Sequence, residues 1–228
     1  MKRFVLSLPF TPFHSLSLLF FLLFHFSFSN PAQAQITHAS QGRLDENATA
    51  ALQKAARRMD NVRCTVTRTA LDANKKQLAK QSATVRYCRG KYRLEFDGQE
   101  IISDGTTVWH WNKAAKEVTI STVGDDDMDL LNPARLVANY DKNFRAKYIR
   151  TDDDGTAVID LQPRSAQSYH KLRLFVAEKD GTLRRIEMHK YDSGREIYDF
   201  SGHKFSLPVG SYSFDPKAHR DVEVIDMR

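Results

Sequence analysis

From Val62 the chain alternates with a period of two. Val62, Cys64 and Val66 are interleaved with Arg63, Thr65 and Thr67, the pattern of a strand with one apolar face. Comparable runs follow at 82–89, at Tyr92, Leu94 and Phe96 set against Arg93 and Glu95, at Ile101-Ile102, and at 107–111 and 117–121. Between them lie Asp72 to Lys76, Asp97-Gly98, Ser103-Asp104-Gly105-Thr106 and Asn112 to Lys116, stretches rich in the residues that hairpin turns require. Five or six strands joined so closely predict an antiparallel meander.

The pattern is helical on either side of this meander. Before it, Asp45 reads as an N-cap, and Ala48, Ala51, Leu52, Ala55 and Met59 recur at helical spacing up to Asp60. After it, the run Gly124-Asp125-Asp126-Asp127 breaks the strands, and Asn132-Pro133 opens a short helix with Leu136, Val137 and Tyr140 on its apolar side. Strands resume at 144–150, 157–163, 171–178, 183–191 and 196–205, with a terminal strand expected at 211–214. A single sheet of this size must bury one face and tends to curl. Two thin helices do not make a dense core over it, so the pattern favours a curled sheet around an apolar cavity. A packed sandwich is the other outcome the pattern allows.

The first residues set the compartment. Met1, Lys2 and Arg3 precede an apolar run from Phe4 to Phe28, and Pro31-Ala32-Gln33-Ala34 ends in an A-x-A cleavage pattern, as in an export signal. Cleavage after Ala34 leaves 194 residues, a flexible segment 35–44 and one domain, 45–228. The net charge of +6 falls to +4 without Lys2 and Arg3, and no Lys/Arg block suggests nucleic acid. Cys64 and Cys88 then reach an oxidising compartment. They sit on neighbouring strands, but Cys64 shares a face with Val62 and Val66 while Cys88 has the parity opposite to Val85 and Tyr87. Both a disulfide and two free thiols remain open.

Catalytic spacings are missing. There is no G-x-S-x-G, glycine-rich phosphate loop, H-E-x-x-H or C-x-x-C, and the histidines lack metal-ligand spacing. The runs Asp125 to Asp127 and Asp152 to Asp154 lack the distal Glu of a calcium loop and read as solvated turns. No enzyme, metal or cofactor is expected. Trp109 and Trp111 alternate in a strand, as cavity lining or sheet surface does.

The segment Ser103-Asp104-Gly105-Thr106-Thr107-Val108-Trp109-His110-Trp111-Asn112, continuing to Glu117-Val118-Thr119-Ile120, resembles the hairpin of the outer-membrane lipoprotein carrier family, LolA. Cys64 to Thr67 and Tyr87 to Arg93 precede it in the family's order. Asn132 to Ala138 falls where the family has a cavity-covering helix, and Asp180 to Leu183 and Tyr212 to Phe214 resemble later positions. The resemblance covers about 45–227. It implies a mainly β fold with an α lid: an incomplete, half-open antiparallel barrel of about eleven strands with helices over an apolar cavity.

It also implies a monomeric periplasmic carrier that takes acylated lipoproteins from an inner-membrane ATP-driven release complex and passes them to an outer-membrane acceptor. A periplasmic lipid or glycolipid carrier, or a lipoprotein-sensing domain on the same scaffold, is the alternative. Strand alternation and helical spacing assign Val66, Tyr87, Tyr92, Leu94 and Phe96 to the cavity wall, with Leu136, Val137 and Tyr140 on the lid; Trp109 and Trp111 are added as lining. By the resemblance, Arg89 is an inward-pointing latch that bonds to the lid backbone. Gly90 replaces the proline usual there, and Ala134 and Arg135 stand where the lid is normally bulkier.

Overall fold

The computed structural model describes residues 45–123 and 133–228. The leader, its cleavage point, segment 35–44, Asn132 and the run Asp125 to Asp127 lie outside the described residues.

The elements in chain order are α1 (Glu46–Met59), β1 (Asn61–Leu71), β2 (Gln77–Cys88), β3 (Lys91–Phe96), β4 (Gln99–Ser103), β5 (Thr107–Asn112) and β6 (Glu117–Thr122). They continue with α2 (Pro133–Ala138), α3 (Tyr140–Asn143), β7 (Phe144–Thr151), β8 (Thr156–Pro163), β9 (Tyr169–Ala177), β10 (Leu183–Lys190), β11 (Arg195–Phe205) and β12 (Glu223–Asp226). The described strands form one twelve-stranded sheet in the order β12-β6-β5-β4-β3-β2-β1-β11-β10-β9-β8-β7. β1 therefore lies near the middle, paired with β2 on one side and β11 on the other. Every pairing is antiparallel except β12 with β6, which is parallel. The two outermost strands, β12 and β7, do not join, so the barrel stays open.

Alternation decides which face is covered. On β7 to β11 one parity carries Asp160, Arg173, Arg185 and Asp199. Arg173 donates to both Asp160 oxygens at 2.7 and 3.0 Å, and Arg185 Nε lies 2.6 Å from Asp199. The other parity carries Ile159, Leu161, Leu172, Leu174, Ile186 and Met188, all buried. This apolar parity is the inner face, and α1 lies across it. Asp45 anchors one end of α1, accepting from Ala48 N at 3.0 Å as its N-cap and from Tyr148 N on β7 at 2.8 Å. At the other end Met59 leads almost directly into β1. Fourteen residues of helix span about 21 Å, close to the roughly 24 Å across five strand spacings from β7 to β1. The buried stripe Ala48, Leu52, Ala55 and Met59 faces the sheet, and its small alanines permit a close approach.

The C-terminal part departs from expectation. Residues 211–214 form no strand; Tyr212 and Phe214 instead bury themselves on the outer face beside Cys88, Ile102 and Val118. Asn61 Nδ2 donates to Leu207 O at 2.7 Å and Arg93 Nη2 to Ser211 O at 3.2 Å, fastening this strap over β1 to β3. The twelfth described strand comes later, at Glu223–Asp226, and the strand total agrees with the about eleven expected.

Candidate functional site

The inner face of the meander is a set of cross-strand rungs. Val62, Tyr87, Tyr92, Ser103 and Val108 form one rung across β1 to β5, and Cys64, Val85, Leu94, Ile101 and His110 form the next. Val66 follows between Ala83 and Phe200, and Phe96 lies two residues beyond Leu94 on the same parity. The residues expected on the wall, Val66, Tyr87, Tyr92, Leu94 and Phe96, thus share one face. Tyr87, Tyr92, Leu94 and Phe96 are buried, and Val66 is half-buried.

Burial pushes the Cys64 thiol up to about 12 and raises the Tyr87 and Tyr92 hydroxyls above their ordinary range, as expected where water is scarce. His110, whose Nε2 lies 2.7 Å from Gln99 Oε1, is pushed towards its neutral form by the same loss of solvent. This face is uncharged around the rungs of β2 to β5.

Leu136, Val137 and Tyr140 are buried on α2 and α3, which break at Asn139. Tyr140 Oη lies 2.9 Å from Thr49 Oγ1 and joins α3 to α1. Lys54 Nζ bonds to the carbonyls of Glu178 and Lys179, the latter at 2.9 Å, so α1 is also tied to the β9–β10 turn.

Two expectations, on the tryptophans and on Arg89, are corrected, and the alternative left open for the cysteines is decided. Trp109 and Trp111 are not on this face: they pair with Ile102 and Glu100 on the other parity, and Trp111 packs on Phe214 at 5.4 Å and His219 at 4.5 Å under the strap. Arg89 is exposed at the first position of a two-residue turn with φ 49°. Among the described residues no hydrogen bond runs from its side chain to α2 or α3; its tie to a helix is its backbone N–H, which donates to Asp60 O at the end of α1 at 2.9 Å. Cys64 and Cys88 are both free and buried. Cys64 pairs with Val85 while Cys88 pairs with Asn61, an offset of three that puts the thiols on opposite faces.

The strand pattern missed a polar group on the inner face. Arg68 and Glu196 are 7% and 6% exposed. Arg68 Nε donates to Glu196 Oε2 at 2.9 Å, Tyr198 Oη donates to the same oxygen at 2.7 Å, and Lys190 Nζ lies 2.6 Å from Glu196 Oε1. Burial alone raises a carboxyl, but here the bonds and charges of Arg68, Lys190 and Tyr198 outweigh it and hold Glu196 down at about 2. The available signal was parity: Arg68 follows Val62, Cys64 and Val66 on the inward side.

An open antiparallel sheet that carries helices across its apolar inner face defines the class, an open β-barrel with a helical lid. Residues 65–216 match the family described as outer membrane lipoprotein carrier protein LolA, and the chain belongs to that family. An outer-membrane lipoprotein carrier protein of Coxiella burnetii is 27% identical over 143 residues, 60% of this chain and 66% of that protein. One of Histophilus somni is 26% identical over 156 residues, 67% of this chain and 74% of that protein. The fold is shared with an uncharacterized conserved protein of Thermus thermophilus, with a TM-score of 0.51 and 12% identity over 79% of this chain and 99% of that one.

Proposed function

We propose that this protein carries lipid-modified proteins across the periplasm, sheltering their acyl chains against the inner face, and that it performs no catalysis. The leader is removed after Ala34, and 45–228 is the monomeric carrier domain. The observation that carries this reading is the apolar parity running over adjacent strands from β2 to β4 and, beyond β1, over β8 to β10 under a helix of small residues. Each methylene kept from water contributes about 0.8 kcal/mol, so a lipoprotein with dozens of them needs such a surface in transit. Loading falls to an inner-membrane ATP-driven release complex and unloading to an outer-membrane acceptor that binds the acyl chains better.

Mass spectrometry of protein purified from the periplasm tests this directly. Acylated peptides bound to it support the reading, and free glycolipids in their place overturn it. In a release assay with inner-membrane vesicles, Leu94→Glu places a charge on the wall at a cost of several kcal/mol. A folded Leu94→Glu protein that takes up acylated peptide as well as the parent would overturn the assignment of the inner face.

A further inference from the structure

We propose that Arg68, Lys190, Glu196 and Tyr198 form an anion site that takes the carboxylate head of an acyl chain whose hydrocarbon lies along the inner face. The proposal rests on the inner face being an acyl-binding surface, and the experiment below separates the two.

Two cations meet one carboxylate, and the side chains of Arg68 and Glu196 are 8% exposed. One cation suffices to neutralise Glu196. The second, Lys190, lies at the solvent-facing edge of the group, where a negatively charged oxygen beside two cations is favoured. The neighbouring acid Asp192 does not supply the balance: it is exposed in the β10–β11 turn, where its Oδ1 accepts from Gly194 N at 2.9 Å.

Tyr198 lies between Arg68 and Ile186, and Glu196 between Ala70 and Met188. Beyond them the same rungs continue through Leu174 and Leu172 to Ile159 and Leu161. The charged group thus begins where an unbroken hydrocarbon surface ends. It also lies at the rim, because Lys190 closes β10 and its side chain is 29% exposed.

The sheet has a step beside this group. β2 runs on beyond the last β3 partner, Thr84 with Glu95, so residues 77–83 have β1 on one side and no neighbour from β3 on the other. Gln81 is the β2 partner of Arg68, and its shielded Oε1 has no hydrogen-bond partner among the described residues. An amide there can turn either end towards a head group entering by this notch.

Binding of lauric acid and of dodecanol, measured at pH 8 by displacement of an apolar fluorescent probe, tests the proposal. Lauric acid is expected to bind at least tenfold more tightly than dodecanol. Lys190→Gln should remove most of that difference, and Glu196→Gln should widen it by removing the competing carboxylate, opposite effects that unfolding does not produce. Arg68→Lys keeps the charge without the planar fork and should fall between Lys190→Gln and the parent. Equal binding of acid and alcohol, untouched by these variants, would overturn the anion site while leaving the acyl surface intact. If neither ligand binds, the acyl surface fails and the site with it.

Discussion

Arg68 Nε and Glu196 Oε2 lie 2.9 Å apart, joining strands β1 and β11 from positions 128 residues apart in the chain. The Glu196 carboxyl sits at about 2 in the folded protein against 4.5 ordinarily. A depressed carboxyl contributes stability above its unfolded value, and that contribution is lost as pH falls from about 4.5 towards 2. The loss is on the order of 3 kcal/mol. Urea denaturation at pH 7, 4 and 3 should show it in the parent, and Glu196→Gln should flatten this part of the profile. An equally steep acid loss in Glu196→Gln would place the origin elsewhere.

Gly181 fixes how closely α1 approaches the sheet. It has φ +79°, and a Cβ there would meet Lys54 O at 2.7 Å. Gly181→Ala costs about 1–2 kcal/mol for the left-handed backbone alone, and the contact with Lys54 adds to it. Hydrogen exchange should show α1 amides losing protection ahead of β8 and β9; uniform loss across the molecule would mean that α1 does not move separately.

The two faces of the meander should respond differently. Phe214→Ala empties the outer cluster and is expected to cost about 3–5 kcal/mol of stability, with acyl-probe affinity unchanged because Phe214 packs on Trp111 and not on the inner face. Leu94→Glu should also lower stability, but in the fraction that folds it should abolish probe binding. Denaturation curves and probe titrations on the same samples check both.

Arg89→Gly should leave stability equal to the parent or higher by up to about 1 kcal/mol, since glycine accepts the positive φ that arginine holds at a cost. Cargo uptake and release should match the parent in the vesicle assay. A defect in release with normal stability would restore Arg89 as a latch that acts in another lid state.

Much of the site was legible because alternation within one strand is a local property. Tyr92, Leu94 and Phe96 alternate with charged residues, so only one parity could be inward. In β5 the rule fails, because Val108 and His110 on one parity and Trp109 and Trp111 on the other are all compatible with burial. Arg89 was misplaced for a different reason: its role came from a resemblance whose turn differs here, where Arg89-Gly90 makes a tight two-residue link. The anion site went unread because Arg68 and Glu196 lie in strands that nothing local brings together.

The sequence by itself determined the helix capped by Asp45, the hairpins of the meander, the strands that follow and the apolar parity of most of them, because each depends on residues within a few positions of one another. Tertiary structure decided that β11 lies beside β1, that Tyr212 and Phe214 form a strap over the outer face, that the tryptophans lie beneath it, and that Arg68 meets Glu196. These rest on register between distant strands: a strand's own pattern says that it has two faces, and only its neighbours, by pairing, say which face is covered and by what.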